Sequence, residues 1–145
     1  QFPQSVLQLR FTQRELKIMS ARELSAYRSV DCAGVSSERL MMVALDAVQF
    51  FLMRAEAAID DDNRQEKARV LARAGRVMDF MLGLTGVQPG DVGARLAKLY
   101  RFVIDGIVRG NANDDREAIT AARTVIEDVG KFWRLRFPHA DLSVQ

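Results

Sequence analysis

The sequence predicts an all-α protein: an antiparallel up-down four-helix bundle preceded by a short additional helix. Three observations carry this. Proline occurs only at Pro3, Pro89 and Pro138, so two long stretches, 4–88 and 90–137, are free of the residue that helices tolerate worst. Within them apolar residues recur at the 3.6-residue helical period, and no alternating strand pattern competes. The breaks between periodic segments are short, and short links between long helices make neighbours antiparallel.

The elements follow in order. Ser20 and Glu23 have capping-box spacing, with Met19 and Leu24 placed as its hydrophobic staple, so a short helix is expected near Ser20–Ser29. Ser36 caps the first long helix, near Ser37–Asp60, with Val35 and Leu40 at staple spacing. One face of it carries Leu40, Val43, Ala44, Ala47, Phe51, Ala55 and Ala58. Asn63 with Glu66 starts the next helix, near Arg64–Leu82, whose stripe is Val70, Leu71, Ala74, Val77, Met78, Met81 and Leu82. A third, near Asp91–Arg109, presents Leu96, Leu99, Tyr100, Val103 and Ile107. The last, near Asp115–Arg136 with Asp114 and Glu117 as its capping pair, presents Ile119, Ala122, Val125, Ile126, Val129 and Trp133. Stripes of this width bury against one another. The expected links are Asp61–Asn63, Gly83–Gly90 and Gly110–Asp114.

The chain of 145 residues is 48% hydrophobic and 28% charged, enough for one globular core and too apolar for wholesale disorder. Its formal charge of +2 is too balanced to argue for nucleic acid or an anionic membrane. One cysteine, Cys32, and one histidine, His139, exclude a Cys/His zinc cluster and an internal disulfide. An unpaired thiol fits a reducing, cytoplasmic setting. No basic start followed by an unbroken apolar run suggests a signal peptide. The densest apolar stretch, Leu40 to Met53, is broken by Asp46 and Gln49 and falls short of the ~20 residues of a membrane span. The expected division is an extension over 1–18, the bundle over 19–138 and a tail over 139–145.

Catalytic chemistry finds no foothold, and no cofactor or metal is expected. Asp60, Asp61 and Asp62 open no EF-hand, because Gln65 and Leu71 stand where that loop needs Gly and Glu. Gly83, Gly86 and Gly90 lack the strand and the Lys-Ser pair of a phosphate loop and read as turn glycines. His139 has no nucleophile to serve, and Cys32 no histidine beside it. Arg69, Arg73 and Arg76 share a helix face that would suit phosphates, but Glu66 and Asp79 flank it without interleaved aromatics, which favours a solvated face. Met41, Met42, Val48, Phe50, Leu52 and Met53 lie off the main stripe of the first long helix. A helix apolar all round is either central to the core or lines a partner groove, and periodicity alone does not separate the two.

From Tyr27 onward the chain resembles the FliS family of flagellar export chaperones. Tyr27, Ser36, Glu38, Leu40 and Asp46 stand where that family has its tyrosine, its Val-x-Thr-Ala-Ser-Pro-Glu stretch and its Leu-Tyr-Asp-Gly helix. Ala55, Ala58, Ile59 and Lys67 resemble its Ala-x-x-Ala-Ile and following Lys, and Gly90, Leu96, Leu99 and Tyr100 its Gly-to-Leu-x-x-Leu-Tyr segment. Asn111, Asp114 and Trp133 match its Asn-containing turn and late tryptophan. Cys32, Gly34, Val35, Ser37, Leu45, Ala47 and Gly110 depart from the pattern. The resemblance implies a cytoplasmic binding protein, not an enzyme, that sequesters flagellin's C-terminal segment, prevents premature polymerisation and delivers it to the export apparatus. An anti-sigma factor or another assembly protein as second client stays open. The partner-binding residues it suggests are Tyr27, Leu40, Val43, Ala47, Phe50, Phe51, Leu99, Tyr100, Val103 and Ile107, with Tyr27 helping to cover or line the groove. The rival reading is a structural or regulatory bundle adaptor, or one that binds nucleic acid through Arg69, Arg73 and Arg76.

The segment Gln1 to Ile18 precedes the family's usual start. Its opening, Phe2 to Arg10, looks similar to the last residues of flagellins, as a fused client peptide, translated upstream sequence or coincidence. Phe2, Val6 and Leu9 have helical spacing, so the segment is expected to lie as a helix on the bundle, over surface a client would cover.

Overall fold

The computed structural model describes residues 37–87 and 90–136. The short helix near Ser20–Ser29, the 1–18 extension, Tyr27, Cys32, the Ser36 cap, His139 and the tail all lie outside these residues. Four helices form the bundle: α1 Ser37–Asp60, α2 Arg64–Gly83, α3 Val92–Asn113 and α4 Arg116–Arg136, with a 3-10 turn at Thr85–Val87. Each packs on the next and α4 returns to α1, so the helices close a ring around one core. Antiparallel pairing shows in the cross-links: Asp60 at the end of α1 meets Arg116 at the start of α4, and Asp46 near the start of α1 meets Arg134 near α4's end.

Local chemistry explains the corners. Asp62 takes a left-handed φ of 54°, and Asn63 N donates back to Ala58 O at 2.7 Å, a Schellman-type stop. Asn63 then caps α2 by accepting from Glu66 N at 3.1 Å, as its spacing predicts. Glu66 does not reach back to complete the box; its carboxylate takes Arg54 and Arg69 instead. Gly90 has a φ of 62°, which a side chain would strain, just before α3 begins.

The α3–α4 corner departs from expectation in two ways. Helix α3 continues through Gly110 to Asn113, so Gly110 is a packing residue rather than a turn glycine. A Cβ there would enter the Ile119 side chain, and one on Gly106 would lie 2.9 Å from Ala118 O. The two glycines let α3 and α4 approach closely. The capping position is also shifted by one: Asp115, not Asp114, accepts from Ala118 N at 3.1 Å, while Asp114 takes the left-handed φ of 52° that ends α3.

The core runs the length of the ring. Leu52, Ala55, Val70, Ala74, Met78, Met81, Tyr100, Val103, Ile119 and Ala122 are closed off from water, and Trp133 is buried among them. Most of the off-stripe residues of α1 resolve in favour of burial: Met41, Met42, Val48 and Leu52 are inside, Phe50 is partly covered and Met53 is exposed. Helix α1 is central because it is apolar on more than one side.

Candidate partner-binding surface

The expected binding residues divide by depth. Leu40, Val43, Phe51, Tyr100, Val103 and Ile107 are buried within the bundle. Ala47 and Phe50 are partly covered, and Leu99 is exposed. Thus Leu99, Phe50 and Ala47 are the described members of the set that a partner reaches without opening the bundle. The other six are apolar because they fill it. Tyr100 shows this: its hydroxyl donates to Met41 Sδ at 3.7 Å, and burial pushes its pKa up to about 12, against a smaller opposing effect of hydrogen bonding with Trp133.

The large apolar side chains the structure leaves in water are Met53 on α1, Leu99, Phe102 and Val108 on α3, and Phe132 and Leu135 on α4. Phe102, Phe132 and Leu135 fall off the apolar stripes of their helices, and that is the sequence signal that finds them. Phe132 packs edge-to-face on Trp133 with centroids 5.5 Å apart, and the Arg136 guanidinium lies 5.9 Å from its ring. Phe50 is held the same way, by Phe51 at 5.9 Å and Arg54 at 5.7 Å.

Polar groups are concentrated elsewhere. Along the α1/α4 seam, buried Glu56 accepts from Arg123 Nε at 2.8 Å and Thr120 Oγ1 at 2.5 Å, and Gln49 donates to Glu127 at 3.1 Å. At the end of that seam Arg116 pairs with Asp60 at 2.7 Å and holds its carboxyl below the usual range. Between α2 and α3, buried Lys67 donates to Asn111 O at 2.9 Å and to the Asp114 carboxylate, which it holds below its ordinary pKa. Lys67, Asp114, Asn63, Asp62 and Ile59 line a shallow hollow there. These charges are consumed in joining helices. Arg69 of the basic stripe is likewise tied to Glu66, at 3.0 Å. Among the described residues no group of three or more His, Cys, Asp or Glu is placed to hold a metal ion, and no helix is long and apolar enough to cross a membrane.

The arrangement is a well-filled bundle with apolar side chains left on its outside, suited to binding another chain. The family model described as flagellar protein FliS matches residues 20–138. The flagellar secretion chaperone FliS of Salmonella typhimurium is 24% identical over 130 residues, covering 86% of this chain and 96% of its own. That of Escherichia coli is 20% identical over 103 residues, covering 70% of this chain and 76% of its own.

Proposed function

Because the chain belongs to the FliS family, we propose that it is a flagellar export chaperone that binds the C-terminal segment of flagellin in the cytoplasm, prevents its premature polymerisation and assists its secretion. The observation that carries this reading is the family match across 20–138, which spans all four helices. The exposed Leu99, Phe102, Phe132 and Met53 support it physically. A disordered segment binds by folding on such surface: it loses chain entropy, and burying apolar side chains offsets the loss. The role requires binding and release rather than bond chemistry, and the export apparatus is the partner that receives the complex. Calorimetric titration with flagellin tests it. Full-length flagellin should bind, and flagellin lacking its C-terminal segment should not. Equal affinity for both would overturn the proposal.

A further inference from the structure

The four helices close a ring, and three of its seams join helices that follow one another in the chain. The fourth, α1/α4, joins the first of these helices to the last, so side chains alone close it. A polar ladder runs along it. Asp60 pairs with Arg116 at 2.7 Å, Glu56 with Arg123 at 2.8 Å, Gln49 with Glu127 at 3.1 Å and Asp46 with Arg134 at 3.7 Å. From Asp46 to Asp60 the ladder covers ~21 Å of α1. Its centre is the costly part, because the Glu56 side chain is 8% exposed and that of Arg123 26%. Taking such ions out of water offsets most of their attraction, so a buried pair fixes partner and register more than it stabilises.

Helix α3 is held by other means. Gly106 and Gly110 bring it into close contact with Ala118, Ala122 and Ile119 of α4. On its other flank it is pinned to α2, where Lys67 Nζ donates to Asn111 O at 2.9 Å and to the Asp114 carboxylate. Lys67 is 5% exposed, and it meets the last turn of α3, whose unpaired carbonyls carry partial negative charge. Neither of these contacts involves α1.

We propose that the α1/α4 seam is a latch at which the folded bundle opens, the α3–α4 pair swinging as one unit away from α1–α2 while the Lys67 pin holds. Opening at this edge breaks the polar ladder and no turn, and it wets the inner apolar residues of α1 and α4. Folded proteins open in such units at free energies below that of global unfolding. No flagellar client takes part, so the latch is independent of the proposed function.

Thiol labelling with an aromatic disulfide reagent tests it. The reporters are Leu52→Cys and Leu71→Cys, each in the full chain carrying Cys32→Ser, so that one thiol remains. Gln49 and Glu56 flank Leu52 at helical spacing, which places it beneath the ladder; Leu71 stands one turn beyond Lys67, beneath the pin. Both side chains are closed off from water, so each labelling rate reads how often its site opens. The Leu52→Cys thiol should label about tenfold or more faster than the Leu71→Cys thiol, with a shallower urea dependence, because the opening exposes less surface than unfolding does. Glu56→Gln should speed both about tenfold, since the ladder is broken in the open and the unfolded states alike. Gly106→Ala and Asp114→Asn should each speed the Leu71→Cys thiol about fivefold or more and leave the Leu52→Cys thiol unchanged, because their contacts survive the opening. Urea unfolding verifies that each variant folds. Equal rates and equal urea slopes for the two reporters overturn the proposal, since every exposure would then be global. So does a Leu52→Cys thiol that Gly106→Ala quickens as much as the other, because α4 would then be leaving α3 as well. Equal acceleration of both thiols by Asp114→Asn overturns it too, as does a Leu52→Cys rate that Glu56→Gln leaves unchanged, which would mean that the ladder does not hold the seam.

Discussion

Tyr100 ties a single side chain to the behaviour of the core. It is fully closed off from water, and its hydroxyl has Met41 Sδ as acceptor. Desolvation disfavours the phenolate, so the folded pKa rises from 10.0 to about 12. A raised pKa means the unfolded chain loses this proton first. The contribution is therefore intact below pH 10.0 and is lost as pH climbs toward about 12. Melting temperature followed by circular dichroism should fall over that window, and Tyr100→Phe should fall less. If a Tyr100 phenolate forms at pH 10.0 while the bundle is still folded, the burial account is wrong. Leu99, one residue away, is exposed, so neighbours on one helix have unrelated roles.

Among the elements, α3 and α4 owe their pairing to missing atoms. A Cβ on Gly106 would lie 2.9 Å from a backbone carbonyl, Ala118 O, which no rotamer change relieves. Gly106→Ala should therefore destabilise the protein by about 1–3 kcal/mol, the usual cost of overpacking. Gly75 in α2 has nothing within 4 Å of its ideal Cβ, so Gly75→Ala should stabilise by about 0.5–1 kcal/mol through the unfolded chain. Urea unfolding of the two variants checks the signs, and shifts in the same direction would refute the close-approach account. The bounds of α1, and the start and cap of α2, are legible in the sequence because periodicity and cap chemistry are local. The end of α3 is not. Gly110 looks like a helix stop, and only the Ile119 side chain facing it explains why glycine stands inside the helix.

For the whole molecule, three carboxylates lie at helix junctions and hold their charge more firmly than free ones. Arg116 lowers Asp60, Arg69 and then Arg54 lower Glu66, and Lys67 lowers Asp114, from ordinary values of 3.8, 4.5 and 3.8. Depressed carboxylates stabilise the fold above the unfolded pKa and lose that contribution as pH falls through the folded one. Thermal stability should be flat near neutrality and fall as pH drops below 4.5 and then 3.8. Glu66→Gln should lower the neutral melting temperature and remove part of the acid slope. An unchanged slope would place the acid-sensitive groups elsewhere. Exposed pairs such as Asp60–Arg116 should matter less as salt rises.

The sequence by itself determined the helical class, the number of long helices among the described residues, two of the three corners and the family. Each depends on order and spacing along the chain: proline-free runs, apolar stripes, an Asn63 cap and motifs in series. Only the tertiary structure decided which apolar residues remain available. Leu40, Val43, Phe51, Tyr100, Val103 and Ile107 share with Leu99 the composition of a binding surface, yet they are buried while Leu99, Phe102 and Phe132 face water. Hydrophobicity is a property of the residue. Exposure depends on which side of its helix the neighbouring helices cover, and here the closed ring of four helices around one core sets that.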